Sequence, residues 1–130
     1  QSAMNSLDPV YTVEYQLNEV LRRRGGLNAR DARKRCEELF EMVGIEKNRL
    51  SDYPHQFSGG MRQRVAIALA LALNPKLVIA DEPVTALDVI VQRQILDQLR
   101  ELQSALGISV IIVTHDISVV AYICDRTVVM

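Results

Sequence analysis

The stretch LVIADEP (77–83) places two carboxylates and a proline directly after four apolar residues. A second stretch, SVIIVTH (109–115), repeats this pattern with β-branched residues followed by Thr114 and His115. Short unbroken apolar runs of this kind predict strands that are covered on both faces, as in a parallel sheet. Because ligands of open α/β sheets bind beyond the carboxyl ends of the strands, the polar residues at 81–82 and 114–115 are candidates for a functional site.

A helix is predicted between these two strands, with Asp88 as its N-cap and Gly107 as its stop. Its apolar positions recur at helical spacing: Val91, Ile95, Leu99, Leu102 and Leu106. Beyond His115, Asp116 is predicted to cap a further helix, and residues 127–130 are predicted to begin a third strand. Strands and helices that alternate at these lengths predict right-handed βαβ units.

The first 75 residues have the pattern of helices alone. Two one-sided apolar stripes predict helices that stop at Gly25-Gly26 and at Gly44. A third helix is predicted to begin at Ser58 and to end at Asn74-Pro75. From Val65 to Leu73 its apolar residues lie on almost all sides of the helix, and this distribution predicts deep burial. We therefore expect a helical region over residues 1–75 and part of a three-layer α/β region over residues 76–130.

Composition restricts the class of protein. With 130 residues the chain is long enough for one core and too short for two full domains. Hydrophobic residues make up 48% of the chain, which is typical of a globular protein. The net charge is −1, so no overall positive charge attracts the chain to nucleic acid. No signal segment is visible, and the two cysteines, Cys36 and Cys124, fit a reducing compartment. A cytosolic location is the expectation.

The residues after the two strands suggest phosphate chemistry. In P-loop NTPases a carboxylate at the place of Asp81 helps to hold Mg²⁺ through water, and a second one, here Glu82, can orient or deprotonate the water that attacks the γ-phosphate. His115 could hydrogen-bond a γ-phosphate or that water. The alternatives are that Asp81 caps a loop, that Glu82 is merely exposed, and that His115 is a loop residue before the cap Asp116.

The turn FSGGM (57–61) is a third candidate site, because a helix N-terminus offers unpaired N–H groups and the positive end of a dipole to an anion. Gly59 and Gly60 would let phosphate oxygens approach the backbone, and the hydroxyl of Ser58 adds a donor. The alternative is a serine N-cap with glycines required only for tight helix packing. A basic cluster could face an acidic partner or the lipid surface, and a solvated polar face is the better explanation of it: Arg22, Arg23, Arg24, Arg30, Arg33, Lys34 and Arg35.

The order of these segments resembles the ABC ATPases over essentially the whole chain: SGG (58–60) for the signature motif, LVIADEP (77–83) for Walker B, TALD (85–88) for the D-loop and His115 for the H-loop. The text of YPHQFSGGMRQRVAIALAL (53–71) and IADEPVTALDVIVQRQIL (79–96) is similar to ATP-binding subunits of oligopeptide, dipeptide and nickel importers. The resemblance implies a partial P-loop NTPase (RecA-like) core with an ABC-type helical subdomain, and ATP and Mg²⁺ as cofactors.

The resemblance also implies a role for each site residue. Asp81 would help to hold Mg²⁺ through water, Glu82 would be the catalytic base or position the attacking water, and His115 would contact the γ-phosphate and link it to Glu82. Ser58, Gly59 and Gly60 would bind the γ-phosphate of a nucleotide held mainly by the opposite subunit.

Two further roles concern communication between subunits. Asp88 would communicate across the dimer interface, and Gln1, at the place of the Q-loop glutamine, would sense nucleotide, its Mg²⁺ and permease. The surface expected to meet the permease's coupling helix includes Met4, Leu7, Pro9 and Tyr11. The implied partners are a second ATP-binding subunit, transmembrane permease subunits and indirectly a substrate-binding protein, without nucleic acid. The implied location is the cytoplasmic face of the cell membrane.

The chain departs from the family's pattern in two ways. Val84 stands where the family has Ser or Thr, and the Walker A pattern G-x-x-x-x-G-K-[ST] does not occur in the 130 residues. The parent protein is therefore expected to be an ATPase, and the 130-residue chain by itself is expected to be inactive. A non-enzymatic docking module is the alternative for this chain. A non-transport ABC ATPase is a further alternative, which the short span between Gln1 and Ser58 disfavours.

Overall fold

The computed structural model describes residues 6–129. Its α-helices are α1 (Val13–Arg23), α2 (Ala29–Met42), α3 (Gly59–Leu71), α4 (Val89–Leu106) and α5 (Ile117–Ile123), and its strands are β1 (Leu77–Asp81) and β2 (Ser109–Val113). Two short 3₁₀ turns, Lys47–Ser51 and Pro54–Gln56, lie between α2 and α3.

The first two helices form as their apolar stripes predict. Val13, Leu17 and Leu21 of α1 are fully buried, as are Ala32, Cys36, Leu39 and Phe40 of α2. The side chain of Asn28 caps α2 by accepting a hydrogen bond from the Asp31 N–H at 2.9 Å. Gly44 follows α2 with φ +66°, a left-handed conformation that glycine adopts without the strain of a Cβ atom. The basic residues include Arg33, which pairs with Glu14 and Glu37 at the surface.

Helix α3 is less buried than its sequence predicts and ends earlier. Val65 and Ala68 are inaccessible to solvent, whereas Ala70 is exposed and Leu73 is 43% exposed. The helix stops at Leu71 rather than at Asn74-Pro75, and Asn74 lies in a turn with φ +49°. The expected burial all round was therefore wrong, because the neighbouring helices cover only part of its circumference.

The two strands pair in parallel, with Leu77 opposite Ser109 and Asp81 opposite Val113. Helix α4 is the crossover between them. Asp88 caps this helix through a 3.0 Å hydrogen bond from the Val91 N–H to Oδ1, and Gly107 ends it with φ +62°. The predicted βαβ unit is thereby confirmed, and both strands point their carboxyl ends to the same edge.

Two expectations about the sheet were wrong. One face is open among residues 6–129: Leu77 and Ile111 are each 49% exposed, Ile79 is 65% exposed and Val113 is 43% exposed. Residues 127–129 pair with neither strand, and Val129 is 91% exposed. Apolar β-branched residues favour an extended chain, but a strand forms only where a partner supplies hydrogen bonds; the rest of that expectation, Met130, lies outside the described residues.

The buried apolar residues form one cluster to which α1–α5 all contribute. It includes Leu7, which is only 4% exposed, and Val84, which is also 4% exposed. No helix in the described part of the chain is long and apolar enough to cross a membrane. The division of the chain near residue 75 stays a prediction.

Candidate functional site

The carboxyl edge of the sheet brings Glu82 and His115 into contact. The Glu82 N–H donates to the Val113 carbonyl at 2.8 Å, which continues the pairing of the two strands by one residue. Glu82 then turns with φ +49°, a left-handed conformation that is uncommon in non-glycine residues and costs energy unless the surrounding contacts hold it. Its Oε1 accepts a hydrogen bond from the His115 backbone N–H at 3.2 Å and lies 2.7 Å from Nδ1 of the His115 ring.

A third residue completes this arrangement and was missed by the sequence analysis. The Thr85 hydroxyl donates to Oε2 of Glu82 at 2.6 Å, so both carboxylate oxygens of Glu82 accept hydrogen bonds. The signal that could have found it is a hydroxyl residue three positions after an acidic residue in a proline-containing turn, where side chains bond locally. Glu82 is thus held from two sides, and its side chain is 28% exposed.

These contacts change the acidity of both groups. The hydrogen bond from Thr85, and after it that from His115, lowers the pKa of Glu82 below its ordinary value. The hydrogen bond to Glu82, with the nearby negative charge, raises the pKa of His115. The site therefore favours an ionised carboxylate beside an imidazole that binds its proton more tightly than usual.

Asp81 is the last residue of β1 and lies exposed at the same edge, next to Glu82 in the chain. In residues 6–129 no group of three or more His, Cys, Asp or Glu side chains is arranged to hold a metal ion. A single carboxylate at a strand end fits Mg²⁺, which keeps several of its waters and takes one or two protein carboxylates together with phosphate oxygens. Asp81 is the residue of this edge that fits such a role.

The turn before α3 is shaped by packing. Oγ of Ser58 accepts a hydrogen bond from the Met61 N–H at 3.3 Å and caps the helix. A Cβ atom on Gly59 would lie 3.2 Å from Cδ2 of Leu87, and one on Gly60 only 2.5 Å from Cγ1 of Val91. The glycines therefore allow the start of α3 to pack on the segment that contains Asp88. The packing interpretation holds for Gly60 in particular, and it leaves the exposed Ser58 available to a ligand.

Arg49 holds the backbone that leads to this turn. The sequence did not predict this role, since no pattern in the sequence distinguishes Arg49. Its Nε donates to Asp52 at 2.8 Å, its Nη2 donates to the Gln56 carbonyl at 3.0 Å, and its guanidinium lies 4.5 Å from the centre of the Phe57 ring. The backbone leading to Ser58 is thus fixed on both sides of Pro54–Gln56.

The surface expected to meet a permease is only partly as predicted. Leu7 is buried and cannot contact a partner, because it packs into the core, so that part of the expectation was wrong. Tyr11 is 44% exposed and its ring stacks on that of Tyr15 at 4.5 Å, with Val10 beside them at 71% exposure. Pro9 is exposed as well. Gln1 and Met4 lie outside the described residues.

A parallel sheet with an acidic pair and an imidazole at its carboxyl edge, joined by a crossover helix, is the arrangement of α/β proteins that bind ligands at this edge, among them the P-loop NTPases. Comparison with known sequences makes the class more precise. The chain belongs to the ABC transporter family, whose sequence model matches residues 1–85. It is 52% identical over 132 residues to the oligopeptide transport ATP-binding protein OppD of Bacillus subtilis and 47% identical to the oligopeptide transport ATP-binding protein AppD of the same organism.

Both alignments cover all of this chain but only 37% and 40% of the two relatives, so the chain spans well under half of their length. Solved ABC structures share the fold. The cbiO1 protein of Clostridium perfringens, part of the ABC transporter complex cbiONQ, matches with a TM-score of 0.84 and 35% identity over 95% of this chain and 48% of that one. The ATP-binding cassette MJ0796, a dimer bound to ADP and Pi, matches with a TM-score of 0.72 and 37% identity over 92% and 51%.

Proposed function

We propose that this chain is part of an ATP-binding, ATP-hydrolysing subunit of an ABC importer for peptides. The observation that carries the proposal is the contact between Glu82 and His115 at the carboxyl edge of the parallel sheet, 2.7 Å from oxygen to nitrogen. The names of the two Bacillus relatives support peptides as the transported class. Nickel, the other solute implied by the sequence resemblance, has no such support.

In this proposal Glu82 orients the water that attacks the γ-phosphate and accepts its proton. Glu82 is ionised at neutral pH and can accept a hydrogen bond from this water, while its lowered pKa makes it a weaker base than an ordinary glutamate, so its first role is to orient the water. His115 has its Nδ1 toward Glu82 and its side chain is 81% exposed, so Nε2, on the opposite side of the ring, is the atom that would meet the γ-phosphate. His115 would thus connect the γ-phosphate to Glu82, the residue that orients the water.

The cofactors would be held mainly by groups that this chain does not supply. Mg²⁺, when bound with ATP, neutralises part of the phosphate charge, and Asp81 is the residue that would hold it through water. Ser58, Gly59 and Gly60 would bind the γ-phosphate of ATP on the opposite subunit, using the N-terminal N–H groups of α3. Asp88, next to Leu87, which packs on this turn, would transmit the state of one site to the other. The role of Gln1 remains a proposal from the sequence alone.

The proposed partners follow from the same assignment. A second ATP-binding subunit would complete each site, which the dimeric state of the solved MJ0796 cassette supports. A transmembrane permease would contact the exposed patch of Pro9, Val10, Tyr11 and Tyr15, at the cytoplasmic face of the membrane. A substrate-binding protein would act indirectly through the permease.

A chimera tests the proposal. The 132 matched residues of OppD from Bacillus subtilis are replaced by this chain, and ATP hydrolysis and oligopeptide uptake are measured in a strain that lacks the native protein. We expect hydrolysis and uptake from the chimera, and the loss of both from its Glu82→Gln variant. If the folded chimera hydrolyses ATP no faster than that variant, the proposal is wrong. Assembly with the permease without hydrolysis would support the docking interpretation instead.

A further inference from the structure

We propose that Thr85 is a positioning residue that fixes the orientation of the Glu82 carboxylate through the hydrogen bond from its hydroxyl to Oε2. The structural part of this inference stands on the geometry of the turn after β1. Its consequence for catalysis rests on the proposed function, in which Glu82 acts on the attacking water.

The turn that carries Thr85 is fixed to the rest of the fold. Val84 is 4% exposed and anchors the turn in the core, which explains an apolar residue at this position. Nε2 of Gln92, on α4, donates to the Val84 carbonyl at 3.2 Å and to the Leu87 carbonyl at 3.1 Å. The backbone of Thr85 therefore has little freedom, although its side chain lies at the surface.

Glu82 depends on this anchor because its other contacts reach only one of its two oxygens, Oε1. The His115 ring is 81% exposed and offers one nitrogen to one oxygen, Oε1. The backbone N–H of His115 reaches the same oxygen at 3.2 Å. Without Thr85 the carboxylate could turn about Oε1, and Oε2 would have no fixed direction. With Thr85 the two oxygens are held by two different segments of the chain, so the plane of the carboxylate is defined.

A fixed orientation of the Glu82 carboxylate matters for proton transfer. A base must lie within hydrogen-bond reach of the proton it takes, and small displacements of reacting groups reduce rates strongly. The inference predicts that the hydroxyl of Thr85, rather than its methyl group or its backbone, is what the site requires. Thr85→Val removes the hydroxyl and keeps the branched shape, and Thr85→Ser keeps the hydroxyl and removes the methyl group. These two variants form a matched pair at an exposed position, where neither threatens the fold.

The structural test uses nuclear magnetic resonance on the folded chimera described above, isotopically labelled in glutamate and histidine. Scalar couplings across the side-chain bonds of Glu82 report whether it occupies one rotamer. We expect a single rotamer in the parent chimera and in Thr85→Ser, and averaging over several in Thr85→Val, with a shift of the His115 ring nitrogens that Thr85→Ser does not produce. Averaged couplings already present in the parent, or a single rotamer retained in Thr85→Val, would overturn the inference.

The functional test uses the chimera described above. We expect kcat for ATP hydrolysis to fall about tenfold in Thr85→Val, the scale of one lost hydrogen bond to a charged group, with KM changed less than about twofold. Thr85→Ser should restore kcat to within about threefold of the parent. Equal damage from both variants, or a change in KM alone, contradicts the inference. A chimera that is inactive with its native Thr85 contradicts the proposed function instead, and the resonance experiment then decides the structural inference by itself.

Discussion

Replacement of Gly60 by alanine sets two opposing effects against each other. The new Cβ atom would lie 2.5 Å from Cγ1 of Val91, whereas carbon atoms in contact prefer about 3.5–4.0 Å. Val91 is β-branched and near the start of α4, so its side chain has little freedom to swing away. Overpacking of this kind costs about 1–3 kcal/mol, and the helix propensity of alanine returns at most about 1 kcal/mol. The 2.5 Å contact is short enough to place the cost in the upper part of that range, about 2–3 kcal/mol, so we expect a net loss of about 1–2 kcal/mol in the free energy of unfolding.

Urea and thermal unfolding of the 130-residue chain measure this loss, which corresponds to a fall in Tm of roughly 3–8 °C. Gly59→Ala is the matched control. Its Cβ would meet Cδ2 of Leu87 at 3.2 Å, the far end of a flexible side chain, so its effect should stay within about 0.5 kcal/mol. The double variant Gly60→Ala with Val91→Ala should recover stability, with a coupling energy of about 1 kcal/mol. A Gly60→Ala chain as stable as the parent, or a double variant without coupling, would refute the packing argument.

Three further predictions concern the site. In Glu82→Gln the pKa of His115 should fall toward its ordinary value of 6.5, with a remainder from Asp116, and a proton resonance titration of the ring that finds no change contradicts the contact. Because the pKa of Glu82 is lowered in the folded chain, the stability that its contacts supply is present above pH 4.5 and is lost as the pH falls through the folded value. Because the pKa of His115 is raised, the stability that its contact supplies is present below pH 6.5 and is lost as the pH rises through the folded value. The Tm difference between parent and Glu82→Gln should therefore be largest between pH 4.5 and 6.5. Isothermal titration of the 130-residue chain with Mg-ATP should show no micromolar affinity. The Walker A pattern does not occur in these 130 residues, and each hydrogen bond from such a loop to a phosphate is worth about 1.5–3 kcal/mol. Binding with micromolar affinity would disprove the expectation.

Local signals in the sequence were sufficient for most of the elements. Ser58, Asp88 and Asp116 each accept a backbone hydrogen bond at a helix start, as their position before an apolar periodic segment predicts. Gly44 and Gly107 end helices with positive φ. These features depend on the residue itself and its near neighbours, so they can be read without knowledge of the fold.

Features that depend on distant neighbours were predicted less well. The open face with Ile79 and Ile111, the unpaired residues 127–129 and the buried Leu7 all contradicted the expectation, because burial and strand pairing are decided by what other segments cover. An apolar run in the sequence indicates that its residues can be buried, and only the folded chain determines whether they are.

The candidate site divides in the same way. The sequence by itself determined which chemical groups are present and that Glu82 and His115 follow two parallel strands, since parallel strands end at one edge of a sheet. The tertiary structure alone decided that the two side chains touch, that Thr85 binds the second carboxylate oxygen, and that Gly60 is required by Val91. The physical reason is that hydrogen bonds and steric contacts act over a few ångströms, a scale set by backbone turns and rotamers rather than by the order of residues.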